Sequence, residues 1–269
     1  MRAHKGIFWN LKKAIARREA NQPLLVRRYA FKGPGKLRLI QLPDLHLDDR
    51  TDWDGLQALV DRVNDLRPDI VVFTGDLVCK PDPFVQWEKA AKILRGIQAP
   101  SGKFAVRGNH DLLGADQKAL RLLYESGFVF LKNRVVRTHA PDGTPVTIGG
   151  LDDIYFQDLS RPACLLPMRY TAGIRVVLIH EPVLAKKVPR GTADLILAGH
   201  SHAGQVYAPG LWRIWMTKKV GHYLRGFYRV HGMPLYVCAG LGESGPGFRL
   251  FCRRELTVFD FSHTRREEL

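Results

Sequence analysis

The chain has 269 residues, of which 45% are hydrophobic and 25% are charged, as in soluble globular proteins with a substantial core. Its 41 lysines and arginines outnumber its 26 aspartates and glutamates, and the net charge of +15 favours anionic partners such as nucleic acid, a membrane surface or a phosphorylated substrate. No apolar run approaches the roughly 18 residues of a membrane span, no signal-peptide pattern opens the chain, and the four cysteines form no CxxC pair. We therefore expect a cytoplasmic protein with reduced thiols.

The first 36 residues are interpreted as a separate basic, amphipathic arm. On a helical wheel, residues 6–19 place most of their apolar side chains within a wedge of about 120° and most of their basic ones on the other side. Such a helix can pack on the domain surface or lie on the anionic inner face of the cell membrane, and both alternatives stay open. A hinge at Gly33-Pro34-Gly35 ends the arm, and one large domain is predicted over residues 37–269.

From residue 37 onward, apolar runs rich in β-branched residues alternate with segments of helical period. The predicted strands are 37–42, 69–75, 103–108, 175–180, 194–199 and 234–240, and the predicted helices are 53–66, 84–94 and 115–127. The pair Asp142-Gly143 predicts a hairpin within 128–151, and 248–261 is interpreted as paired strands. This order predicts an α/β fold in which two mixed sheets pack together.

Metal-ligating residue types stand where the predicted strands end. In the stretch GHSHAGQ, His200 and His202 are two residues apart, so in an extended segment they point to the same side. The same spacing occurs at Asp44 and His46. The other strand ends carry further residues of these types: Asp76, Asn109, His110, Asp111 and His180. Because α/β sheets bind ligands at the carboxyl ends of their strands, these side chains are expected to converge.

Five of the ten histidines occupy these strand ends, which argues against a set of unrelated surface histidines. Carboxylate, carboxamide and imidazole groups together suit a pair of divalent ions; we expect manganese, with iron or zinc as alternatives. Two ions about 3.5–4 Å apart can share an activated water and hold the attacking and leaving oxygens of a phosphoryl transfer. The pattern therefore predicts a metal-dependent hydrolase of phosphoric esters or anhydrides.

The ordered motifs DxH, GD, GNH, H and GHxH resemble those of the calcineurin-like metallophosphoesterases, over residues 37 to about 261. The resemblance implies a four-layer α-β-β-α sandwich of two mixed sheets with a dinuclear metal site. By motif position, one ion is implied to be held by Asp44, His46, Asp76 and His202. Asp76 is implied to bridge to a second ion, which is held also by Asn109, His180 and His200. His110 is implied to act on the leaving group, oriented by Asp111.

A finer resemblance concerns segments 194–209 and 240–256, which are similar to the signature segments of a bacterial branch of membrane-associated phosphodiesterases. That branch includes a UDP-2,3-diacylglucosamine pyrophosphatase of lipid A biosynthesis, so cleavage of this nucleotide lipid to a lipid monophosphate and UMP is the specific expectation. Departures from the branch pattern leave every ligand in place and affect only the substrate: Pro43, Ser201, Ala203 and Arg253.

The aromatic and basic segment 211–229 follows the last metal-ligating motif. It is interpreted either as a strand pair at a sheet edge or as a lip that contacts the lipid and its phosphate. The candidate substrate contacts are Trp212, Trp215, Lys218, Lys219, Arg225 and, from the later block, Arg249.

Three other functional classes fit the sequence less well. A protein serine/threonine phosphatase is expected to carry an arginine soon after the GD motif, and residues 75–80 contain none. A nuclease or broad-specificity phosphodiesterase suits the charge of +15, but no additional nucleic-acid domain is apparent. A metal-free scaffold should have lost ligands, and none is missing. We therefore expect a phosphorylated-lipid or nucleotide-lipid substrate, and an anionic membrane surface as the partner of the N-terminal arm.

Overall fold

The computed structural model describes residues 23–79, 86–112, 116–154, 159–205, 220–244 and 249–263, which form two mixed sheets packed face to face. Sheet 1 has the spatial order β1 (Leu25–Lys32), β12 (Glu255–Ser262), β2 (Leu37–Leu42), β3 (Ile70–Thr74), β4 (Gly102–Val106) and β5 (Val129–Phe130). Sheet 2 has the order β10 (Gly226–Val230), β11 (Met233–Val237), β9 (Leu195–Ala198), β8 (Ile174–Leu178), β7 (Pro145–Gly150) and β6 (Arg134–His139). The predicted α/β architecture of two mixed sheets is confirmed.

Parallel pairing brings the functional segments to one edge of the sandwich. In sheet 1, β2, β3 and β4 are parallel neighbours, and in sheet 2 so are β7, β8 and β9. Among them, β3 and β9 are buried along their whole length, as is typical of parallel strands covered on both faces. The chain leaves all of them in the same direction within each sheet, so the residues that follow β2, β3, β4, β8 and β9 are close together.

Apolar side chains fill the space between the layers. Residues of both sheets, among them Leu39, Val176 and Phe259, form the core between the sheets. A second core separates sheet 1 from three amphipathic helices, α1 (Trp53–Asp65), α2 (Trp87–Arg95) and α3 (Asp116–Glu125). Burying each large apolar side chain in such a core stabilises the fold by about 1.5–3 kcal/mol.

The outer face of sheet 2 carries the helical layer that the resemblance implies, and this layer is built from 3-10 helices. In the part of the chain that the structure describes, the core on this face is covered by 3-10 helices, Pro162–Tyr170 and Pro182–Lys187. Prolines begin both segments, and Pro167 lies inside the first. Because proline cannot donate a backbone hydrogen bond and clashes with the preceding turn, it disfavours a regular α-helix here.

Two predictions about the sheets need correction. Residues 248–261 do not form paired strands in their described part: β12 is a single strand that pairs in parallel with β1 and antiparallel with β2. In addition, sheet 1 begins before residue 37, because β1 lies within the predicted arm. The amphipathic stretch 6–19 lies outside the described residues, as do residues 211–219 of the predicted lip 211–229. No helix in the described ranges combines the length and hydrophobicity of a membrane span.

Candidate metal centre

One group of ligand-type side chains lies where the loops after β2, β3 and β9 meet. Asp44 and His46 follow β2, Asp76 follows β3, and His202 begins a short 3-10 helix after β9. All four residues are buried, and one ligand atom of each lies within 4.8 Å of the others. The distance from His46 Nε2 is 2.9 Å to His202 Nε2 and 3.5 Å to Asp76 Oδ2. The resemblance assigns this same set to one ion.

A second group lies beside the first and shares Asp76 with it. Asp76, His180 and His200 each place a ligand atom within 4.8 Å of the others. His180 Nε2 is 3.3 Å from Asp76 Oδ2, 3.1 Å from Asn109 Oδ1 and 3.2 Å from His200 Nδ1. The other carboxylate oxygen of Asp76 accepts a hydrogen bond from the backbone N–H of His110 at 2.8 Å. Asp76 is therefore shared by both groups, as the bridging role that the resemblance implies requires.

The chemistry of these donors fits divalent cations. Facing imidazole nitrogens 2.9 Å apart, as at His46 and His202, cannot both present lone pairs to each other, so a proton or a cation must separate them. Burial lowers the pKa of His46 and of His200 to about 3, which makes both rings neutral donors at neutral pH. Burial also raises the pKa of Asp44 to about 7, because its carboxylate lacks sufficient compensating charge. Two cations would supply that charge and accept the lone pairs.

The backbone of the ligand loops is strained. Positive φ angles occur at five of the ligand residues: Asp44 (53°), His46 (49°), Asp76 (56°), His200 (67°) and His202 (48°). Each such conformation costs on the order of 1–3 kcal/mol and clusters at functional sites. Hydrogen bonds hold the loops in place, including those from His200 N to Asp44 Oδ1 at 3.0 Å and from His46 N to the carbonyl of Asp76 at 3.0 Å. The fold thus fixes the ligands before any ion binds.

Glycines in the GD and GNH motifs allow a close approach to the ligands. A β-carbon at Gly75 would collide with the ring of His180, and Gly75 also has a φ of 94°. A β-carbon at Gly108 would collide with the carboxylate of Asp76. Both positions therefore require glycine for the ligands to reach their places.

Asp111 does not take the role that the resemblance implies. Its buried carboxylate accepts hydrogen bonds from four backbone N–H groups, those of Asp76 (2.9 Å), Leu77 (2.8 Å), Val78 (3.2 Å) and Gly108 (2.9 Å). His110 instead donates from Nδ1 to the carbonyl oxygen of Cys79 at 2.7 Å. The two residues are consecutive in a 3-10 helix, where neighbouring side chains point about 120° apart. Asp111 therefore holds the loop of Asp76, and the backbone of Cys79 orients His110.

Asp111→Asn is expected to weaken the centre without removing a ligand. Asparagine replaces one accepting oxygen with an NH₂ donor that must face backbone N–H donors. We expect a loss of about 1–3 kcal/mol in the free energy of unfolding and a loss of about 10–100-fold in metal affinity. Urea unfolding and metal titration measure these effects, with Asp48→Asn, a half-buried carboxylate paired with Arg50, as the matched control. Wild-type values for Asp111→Asn would contradict the assigned role.

Arg249 lies beneath the centre and does not present an open contact for a phosphate. Its buried guanidinium donates to the carbonyl oxygens of Ala239 at 2.8 Å and Gly242 at 2.6 Å. Its Nη2 lies 3.3 Å from His202 Nδ1, the ring nitrogen that does not face His46. The predicted substrate contact is therefore better described as a residue that positions His202.

The remaining predicted substrate contacts fall at or beyond the limit of the described chain. Arg225 is exposed and precedes β10, and Ser201 Oγ donates to the carbonyl of the adjacent Leu224 at 2.6 Å. Arg225 therefore lies next to the loop that carries His200 and His202. The other four candidates lie outside the described residues: Trp212, Trp215, Lys218 and Lys219.

Gln41 supports the centre and was missed by the sequence analysis. Its Nε2 donates to Thr74 Oγ1 at 3.0 Å and to the carbonyl of Ala198 at 2.9 Å, so it links the two sheets directly below the ligand loops. Gln41 is fully buried. The signal that could have found it is a single amide side chain within the apolar strand LRLIQL, since buried polar groups require partners.

The chain is similar in sequence to known proteins. A family model described as calcineurin-like phosphoesterase matches residues 37–204. The uncharacterized metallophosphoesterase YkuE of Bacillus subtilis is 31% identical over 235 residues, which cover 84% of this chain and 79% of YkuE. A transmembrane protein with metallophosphoesterase domain from Danio rerio is 32% identical over 234 residues, which cover 82% of this chain and 52% of that protein. The chain thus spans about half the length of the second relative.

A solved structure shares the fold. The NAD nucleotidase NadN of Haemophilus influenzae superposes with a TM-score of 0.51 and 16% sequence identity, over 77% of this chain and 45% of NadN. At this level of identity, the likeness concerns the arrangement of the two sheets and does not extend to the substrate.

Proposed function

The chain belongs to the calcineurin-like phosphoesterase family and is a metal-dependent phosphoester hydrolase, and from this premise we propose that it cleaves phosphodiester or pyrophosphate bonds. The reaction would use a pair of divalent ions, with manganese as the first choice. The observation that carries the proposal is the buried Asp76 carboxylate, shared by two groups of ligand-type side chains. Two neighbouring ions bound there would activate a water and neutralise charge on the phosphoryl oxygens.

The residues of the chain supply the other elements of the reaction. Asp44, Asp76 and the surrounding imidazoles would hold the ions, and the strained loops keep these ligands in place. Burial lowers the pKa of His110, but hydrogen bonding to Cys79 and the charge of Asp76 outweigh it and raise that pKa to about 9. His110 is therefore protonated at neutral pH and can give a proton to the leaving oxygen.

For the substrate we propose a nucleotide lipid, specifically UDP-2,3-diacylglucosamine, cleaved at the inner face of the cell membrane. The proposal is supported by the net charge of +15, by the resemblance of residues 194–209 and 240–256, and by the exposed Arg225 beside the ligand loops. The basic stretch 6–19 would attach the enzyme to anionic lipid. A general phosphodiesterase or a nuclease is the second candidate, because the charge alone suits any polyanion.

The test is a manganese-supplemented hydrolysis assay with UDP-2,3-diacylglucosamine, bis-p-nitrophenyl phosphate and single-stranded DNA. Efficient cleavage of the nucleotide lipid over the other two supports the substrate proposal. Arg225→Gln should then raise KM for the lipid, whereas Arg229→Gln, an exposed arginine further along β10, should not. Cleavage of the generic diester alone would exclude the lipid, and preferential cleavage of DNA would identify a nuclease.

A further inference from the structure

A third group of ligand-type atoms lies beside the two that share Asp76. One ligand atom from each of His46, Cys79 and His110 lies within 4.8 Å of the others, and His46 also belongs to the first group. Cys79 is half-buried, and its thiol forms no disulfide. The carboxylates of the first two groups suit harder ions, whereas a thiol with two imidazoles is a donor set that suits softer ones.

Two contacts prepare this third group for a cation. His110 Nδ1 donates to the carbonyl oxygen of Cys79 at 2.7 Å, which leaves Nε2 as the nitrogen that can bind a metal. Histidine ligands in metal sites commonly donate their other ring N–H to a carbonyl in this way. The rings of His46 and His110 lie 4.7 Å apart and nearly perpendicular, at 89°. His46 is buried, and its Nδ1 has no hydrogen-bond partner among the described residues.

We propose that Cys79, His46 and His110 bind a soft divalent ion such as Zn²⁺ or Cd²⁺, and that this ion inhibits the enzyme. On binding, the thiol of Cys79 releases its proton to solvent and its sulfur binds the ion, and any proton on His110 Nε2 or on the binding nitrogen of His46 is also released to solvent. The ligated His110 can no longer protonate a leaving oxygen. The binding part of the proposal is independent of the proposed function, and the inhibition part rests on it.

Binding is tested by adding Cd²⁺ to the manganese-loaded full-length chain and recording the ultraviolet charge-transfer absorption of a thiolate–Cd²⁺ bond. We expect a saturable band in the wild type and in Cys164→Ser, whose thiol is equally half-buried but lies in the 3-10 helix Pro162–Tyr170. The band should be absent in Cys79→Ser. His110→Ala should bind Cd²⁺ at least about tenfold more weakly, because it lacks one ligand.

A band that persists in Cys79→Ser, or no band in the wild type, would overturn the site. If His110→Ala binds Cd²⁺ as tightly as the wild type does, the band reports only a lone reactive thiol, and the proposed three-residue site is also overturned. Inhibition is tested with Zn²⁺ against hydrolysis of a dialkyl phosphodiester, because its alkoxide leaving group needs the proton of His110. The half-inhibitory concentration should rise at least about tenfold in Cys79→Ser and stay unchanged in Cys164→Ser. An equal response of both variants, with the band intact in the wild type, would reject inhibition and retain binding.

Discussion

Replacement of Asp76 by alanine is expected to abolish hydrolysis and to deplete both ions together. The carboxylate lies between two ligand groups, with Oδ2 at 3.5 Å from His46 Nε2 and at 3.3 Å from His180 Nε2. Its removal takes a ligand and a negative charge from each group at once. We expect metal affinity to fall by more than the roughly 10–100-fold that loss of a supporting residue causes. Elemental analysis after dialysis and the rate of diester hydrolysis measure the two effects.

Variants that affect only one of the two ligand groups provide the comparison. His202→Ala removes a member of the first group only, and His200→Ala a member of the second only, so each should lower the metal content less than Asp76→Ala does. Asp194→Ala is the matched control, because this carboxylate pairs with Arg175 where β8 and β9 begin, at the end opposite the ligand loops. Full activity of Asp76→Ala with wild-type metal content would refute the shared-carboxylate centre.

The ligands could be predicted from sequence because each lies within a few residues of the strand that positions it. Asp44, Asp76 and His180 follow β2, β3 and β8 directly, and parallel strands deliver such residues to one edge whatever the order of the strands. Strand period and motif spacing are local signals. The structure groups the same residues that the motifs single out, and the predicted strands agree with the observed ones within a few residues.

The supporting residues could not be predicted in this way, because their partners are distant in the chain. Arg249 reaches His202 across 47 positions, and Asp111 reaches the backbone of Asp76 across 35. Neither spacing follows from a motif, and the orienting role that the resemblance implies for Asp111 belongs to the backbone of Cys79. The strand β1 was missed for a related reason: its partner β12 lies at the other end of the chain. Long-range pairing depends on the whole fold and leaves little local trace.

His110→Ala is expected to keep both ions and to lower kcat by about 10²–10⁴-fold. His110 contributes its backbone N–H to Asp76 Oδ1, an interaction that alanine retains, while its side chain bonds to the carbonyl of Cys79. The ligand groups around Asp76 therefore keep all their atoms. Metal content and kcat for a phosphodiester are the two measurements, and His139→Ala, an exposed histidine at the end of β6, is the matched control.

Substrates with different leaving groups show whether the function lost in His110→Ala is proton donation. A p-nitrophenolate ion departs without needing a proton, whereas an alkoxide must be protonated as the bond to phosphorus breaks. If His110 supplies that proton, His110→Ala should strongly slow the cleavage of a dialkyl diester. It should have a far smaller effect on an alkyl p-nitrophenyl phosphate, when the bond that breaks is the one to nitrophenolate. Equal losses for both substrates would assign His110 to stabilising charge instead, because charge on the phosphoryl oxygens develops in both reactions. Loss of metal in the variant would make His110 a ligand of the catalytic pair, which would then share both His110 and His46 with the third group.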